Sequence, residues 1–269
     1  MKKLSFVFLA LFGMIVLQNC KKDQNSDENS STVTDDEAKE VVVSDVATDD
    51  ILDMMDIYAF DNSANRSHNL PSCVTETIVR NGTSVVITWE FDANGCTMPN
   101  GNTYRGTVAI TRDWDMSAHS ISGSVSFDQF YVNDLMIEGS SDFTRELNSA
   151  GHPQITHNFD FTLTFANGDT ASRSGTRTRE WAEGFGTPSH TDDVFLITGN
   201  SHIVRRNGVV LDAVIVTPLR REVPCRYFVS GTIEITKNGH TAVLDFGNGT
   251  CDAEATLTLP NGTVRVIHL

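Results

Sequence analysis

The chain has 269 residues, with 35 acidic against 20 basic side chains and a formal net charge of −15. That acidity argues against nucleic acid and anionic lipid as partners, because neither rewards a negative surface. Hydrophobic residues make up 39 % of the chain and it holds five cysteines, so a sizeable core and a disulfide framework are both within reach.

Residues 1–19 read as a lipoprotein signal peptide. Lys2 and Lys3 precede an apolar run from Leu4 to Leu17 that only Ser5 and Gly13 interrupt. The run is too short to span a bilayer comfortably, and charge follows at once, so a cleavable leader is expected in place of a transmembrane helix. It ends Leu17-Gln18-Asn19-Cys20, which puts a cysteine where a lipoprotein signal peptidase would cut. Diacylation of Cys20 would give two acyl chains, enough for stable anchoring where one is marginal. An ordinary secretory signal with a chance cysteine is the alternative. Lys21-Lys22-Asp23 resembles the short signal that sends Bacteroidota-type lipoproteins to the outside of the outer membrane. That resemblance implies a lipid anchor in the outer membrane facing the cell surface, with the periplasmic face as the other option.

Residues 20–45 are expected to be the lipidated cysteine and a disordered acidic tether, since almost nothing apolar precedes Val41. From Lys21 to Asp61 there are 13 acidic and three basic residues. A short helix is expected over 46–61. Thr48 or Asp49 could cap it, and Ile51, Leu52, Met55, Tyr58 and Ala59 form its apolar stripe. Its bland role is to cover an open edge or end of a sheet; the sharper role is a gate over a ligand cavity.

From residue 70 to 269 the pattern is β throughout. Val85, Ile87, Trp89 and Phe91 alternate, as do Phe159, Phe161, Leu163 and Phe165, and the spacing recurs to Leu259. Asn-Gly occurs eight times, the strongest short-range hairpin signal. The fold class expected is all-β: one antiparallel β-meander of a dozen or more strands, barrel-like or sandwich-like, with the single short N-terminal helix.

Four cysteines remain after Cys20. Cys73 leads through Asn81-Gly82 to Phe91 and Cys96, and Cys225 leads through Asn238-Gly239 to Phe246 and Cys251. The same order of signals appears twice, as an internal repeat at the two ends of the domain. Cys225–Cys251 fits across one tight hairpin. Cys73–Cys96 needs extra residues in a bulge, for which Ala93-Asn94-Gly95 is suited. Without CxxC spacing, a zinc site is the poorer reading, and no metal or cofactor is expected.

The run from Arg177 through Glu180-Trp181 to Gly184, then Thr191 to Gly199, then Cys225 through Asp245-Phe246 to Cys251-Asp252, resembles a family of uncharacterised Bacteroidota-type (flavobacterial) lipoproteins. Phe130-Tyr131-Val132-Asn133 and Ile137-Glu138-Gly139 are similar to its middle section. The resemblance covers about residues 70 to 269 and implies a lipoprotein address and a β fold. It supplies no catalytic residues.

Arg173, Arg177 and Arg179 share a parity on one strand and so point to one face. They could grip a carboxylate or sulfated sugar, or form a solvated stripe answered by acids on neighbouring strands. Trp114, between Asp113 and Asp115, is the tryptophan best placed to be exposed for sugar stacking, whereas Trp89 reads as core. Asp192-Asp193 with Asp169 and Glu183 could ligate calcium or simply shape turns. His152 and His157 flank Pro153 and read as turn polars. No catalytic motif stands out. A non-catalytic surface module for binding or adhesion comes first, a carrier or chaperone of an apolar ligand second, and a glycan-acting enzyme third.

Overall fold

A computed structural model describes residues 31–60, 70–98 and 100–269. The expected leader and Cys20 lie outside the described residues. Residues Ser31–Leu269 form one compact unit.

The unit is one helix and one sheet. Helix α1 runs Asp35–Met54 and continues as a single wider π-helical segment, Met55–Phe60. Thirteen strands follow in meander order: β1 Val74–Asn81, β2 Ser84–Thr97, β3 Thr103–Asp115, β4 Ser120–Val132, β5 Leu135–Leu147, β6 Pro153–Thr164, β7 Thr170–Glu183, β8 Val194–Arg205, β9 Val210–Glu222, β10 Ser230–Lys237, β11 His240–Asn248, β12 Glu254–Thr258 and β13 Val264–His268. Each pairs antiparallel with the next in one continuous sheet. The sheet neither closes into a barrel nor splits into a sandwich, and β1 and β13 are its edges.

Local chemistry accounts for the register. At the β10–β11 turn Lys237 pairs with His240, and Asn238 and Gly239 take φ of +50° and +77°. Those are the positive values a two-residue hairpin turn demands. Between Phe91 and Cys96 the β2–β3 register shifts, so residues 92–95 bulge where extra length was expected. Both disulfides are present, Cys73–Cys96 and Cys225–Cys251, with Cα separations of 5.5 and 5.6 Å. Gly139 and Gly199 lie within strands at φ of +111° and +126°, and a Cβ on either would overlap a backbone oxygen of the neighbouring strand. Such glycines let a strand crease while the neighbouring backbone stays close.

The sheet curls because the helix is its core. Every residue from Ser44 to Ile57 is buried, and at 100° per residue that run presents side chains in all directions. A helix lying on a flat sheet would leave a solvent face. This one instead bonds to strands from β3 to β13: Arg112 donates to the Ala59 carbonyl, and Arg265 pairs with Asp35. The C-terminal half of the helix packs with β2 to β6 around Trp89, Tyr104 and Phe130. The N-terminal half packs with β7 to β13 around Leu211, Ile233 and Leu257.

The helix departs from expectation at its start. Thr34 is the cap: its hydroxyl accepts from the Glu37 N–H, and the Glu37 carboxylate accepts from the Thr34 N–H. This reciprocal box satisfies two of the free first-turn donors. Asp35, Asp36 and Glu37 stand at the positive end of the helix dipole, and the sheet brings Arg112 and Arg145 to the other end beside Phe60. Residues 35–45, expected to be part of a disordered tether, are therefore helical, and the helix extends well beyond the short 46–61 segment.

Candidate functional site

The richest concentration of chemistry is the charged belt between the helix and β7 to β10. Strand alternation sends Arg173, Arg177 and Arg179 to the inner face, and helical spacing brings Asp45, Asp49, Asp53 and Asp56 to meet them. Asp45 pairs with Arg173 and lies 2.6 Å from Arg177. Arg173 also donates to the Thr48 hydroxyl and the Ser44 carbonyl. Arg179 is held by three carboxylates at once: Asp53 at 2.6 Å, Asp56 at 2.7 Å and Asp49 at 3.0 Å. Its guanidinium stacks on the Phe195 ring. Further along, Arg221 binds Asp50 at 2.7 Å and Lys237 binds Glu37 at 2.8 Å. Asp50 also accepts from the side-chain amides of Asn100 and Asn102.

These groups are in the interior. Arg173 and Arg179 are 0 % exposed and Arg177 3 %. The arginine triad, expected as an outward ligand face or a solvated stripe, is neither. It is a buried clamp on the protein's own helix, and the answering acids come from that helix and not from adjacent strands.

Burial and pairing set the protonation. Burial alone would lower the Arg179 pKa, but Asp49, Asp53 and Asp56 outweigh it and hold the group above its ordinary value. Arg173 is lowered by burial to about 10, with Asp45 opposing, so it stays charged at neutral pH. Burial raises Asp49 and Asp56 against the pull of Arg179. It raises Asp50 to about 6 despite Arg221.

At the centre of the belt His157 faces a cavity lined by Asp45, Thr48, Asp49, Leu52, Arg177 and Phe228, with about 10 Å³ open to the centre of a water molecule. That is room for roughly one water. Neither ring nitrogen of His157 has a hydrogen-bond partner, and burial, reinforced by Arg177 and Arg173, lowers its pKa to about 3. An unfolded imidazole titrates near ~6.5. Between those values the unfolded chain accepts a proton that the folded chain refuses, so His157 removes stability as pH falls from about 6.5 towards 3. Asp50 has the opposite sign: its folded pKa lies above the unfolded one, so it adds stability as pH falls through about 6 towards ~4. His157→Leu removes the opposing contribution. Its stability in urea titrations should climb more steeply than the parent's between about pH 6.5 and 4.5, and parallel profiles would contradict this assignment.

The other expected residues fall elsewhere. Trp114 is 48 % exposed near the β3–β4 turn and does not join the arginines. Trp89 is fully buried and donates its indole N–H to Glu76. Asp193 is buried and accepts from the Trp181 indole, which gives it a structural role in the β7–β8 connection. Among the described residues no group of three or more His, Cys, Asp or Glu side chains is arranged to hold a metal ion. None of the described helices is long and apolar enough to cross a membrane.

Chemically the belt can do little to an outside molecule. Its guanidinium groups are engaged by helix carboxylates, and the room left beside His157 suits a water and not a substrate. Comparison with protein-family models, curated proteins and solved structures finds no match to this chain.

Proposed function

We propose that the chain is an envelope lipoprotein, acylated at Cys20 and held on the outer membrane, facing the cell surface, whose β domain is a non-catalytic binding or adhesion module. The leader ending at Cys20 supports the address, as does the likeness to Bacteroidota-type lipoproteins. One observation carries the module reading: the hollow in which a carrier would hold cargo is filled by the protein's own helix, clamped by buried ion pairs. A carrier of apolar ligands needs an apolar cavity of several hundred Å³, whereas the space that the described residues leave between helix and sheet beside His157 is water-sized. Binding is therefore assigned to the outer surface, where Trp114 and Met116 stand exposed at the β3–β4 end.

Native mass spectrometry of the protein isolated from its own type of host tests this. The expected spectrum is the bare polypeptide mass less the four hydrogens of two disulfides, plus the acyl groups when the intact lipoprotein is analysed. An additional apolar mass that leaves on denaturation would overturn the module reading in favour of a carrier.

A further inference from the structure

Strand β1 is exposed on both faces from Thr75 to Asn81, with Ile78 at 44 % and Val79 at 57 % exposure. It hydrogen-bonds β2 along one side, and among the described residues no strand pairs with its other side, which carries the backbone groups of a sheet edge. Such an edge templates pairing with another strand unless something blunts it. β1 has no proline, no bulge against β2 and no lysine, the usual blunting devices.

Its charges are self-complementary. Glu76 and Arg80 lie on the same face as Ile78, the face that continues towards Trp89 and Ile87 on β2. Glu76 is fixed through one oxygen by the Trp89 indole N–H at 3.0 Å, which leaves the other oxygen to accept. Arg80 makes no ion pair among the described residues, and its charge, after burial, helps to lower the pKa of Arg112. An antiparallel copy of β1 centred on Ile78 sets Ile78 against Ile78, Thr77 against Val79, and Glu76 against Arg80 twice. Directly opposite residues on paired strands lie about 4.5–5.5 Å apart, within ion-pair reach. The other edge lacks this property: β13 centred on Val266 would set Arg265 against Ile267 and Val264 against His268.

We propose that β1 is a homodimerisation edge, through which two copies of this chain join antiparallel about Ile78 into one continuous sheet sealed by two Glu76–Arg80 pairs.

Sedimentation of the Ser31–Leu269 unit, which contains both cores and both disulfides, is expected to show a dimer at micromolar concentration. Arg80→Glu and Glu76→Arg should each weaken it roughly tenfold, because each turns two attractive pairs into repulsive ones. An equimolar mixture of the two variants should recover the dimer, since opposite signs then meet at all four positions. In the full chain, Ile78→Cys should give a disulfide-linked dimer in the envelope, as the opposed Cα atoms would lie within disulfide range. A monomer at all concentrations would overturn the proposal. So would a dimer indifferent to Arg80→Glu, which would place the contact on β13 or another face, or the absence of any Ile78→Cys cross-link.

Discussion

Replacing Arg179 with Met should cost the domain about 3–5 kcal/mol, among the largest single-residue losses available to it. The guanidinium answers Asp49, Asp53 and Asp56, all buried, so its removal leaves Asp53 without a cationic partner among the described residues, Asp49 with only Arg221 at 3.6 Å and Asp56 with only Arg145 at 3.4 Å. Met fills comparable volume, so the loss reports charge and not a cavity. The pH dependence separates the two causes. Without the arginine, the carboxylates that burial already raises would bind protons more tightly in the folded state than in the unfolded one. Stability then rises as pH falls through their raised folded values towards the unfolded carboxylate value of ~4, so the defect should shrink on acidification from neutral pH in urea titrations. A defect unchanged across that range would mean that packing, and not the ion cluster, was lost.

A chain beginning at Leu70, with the helix removed, should show no cooperative unfolding transition at all. Val41, Val42, Val46, Ile51, Leu52, Met54, Met55, Ile57 and Phe60 are each at most 7 % exposed. Their burial contributes roughly 1.5–3 kcal/mol apiece, a sum that reaches the entire net stability of an ordinary domain, about 5–15 kcal/mol. The strands would also be left with Arg173, Arg177, Arg179, Arg221 and Lys237 on an apolar concave face without their acids. A synthetic peptide of residues 31–60 added in trans should restore a transition, read by near-ultraviolet circular dichroism of Trp89 and Trp181. A cooperative fold without the helix would show that the sheet closes on its own core.

The sheet was largely legible because its signals are local. Alternation in runs such as Phe159 to Phe165 and positive-φ turns such as Asn238-Gly239 act over a few residues, and the meander follows from hairpins in succession. The disulfides were readable for the same reason, each closing within one hairpin region. The helix is poorly legible because its stability is non-local. Residues 35–45 look like a solvated tether when their acids are counted alone, yet Glu37 is answered by Lys237, and Asp45 by Arg173 and Arg177, all far away in sequence. Local signals existed: Thr34 with Glu37 three residues on is a capping box, and Asp45, Asp49, Asp53 and Asp56 share one helical face. Arginines at 173, 177 and 179 were correctly placed on one face, but strand parity does not say whether that face meets water or a helix. The interior position of His157 is not legible, because a lone histidine near a strand start carries no pattern.

Native-state hydrogen exchange on the helix tests the central claim, that α1 is the fixed core of the sheet and not a movable cover. The prediction is that amides from Val46 to Leu52 exchange only through global unfolding, with the same protection free energy and denaturant dependence as the most protected amides of β7. Helix amides that exchange through a smaller, sub-global opening while β7 stays protected would contradict it, and would make the helix a gate over a basic hollow.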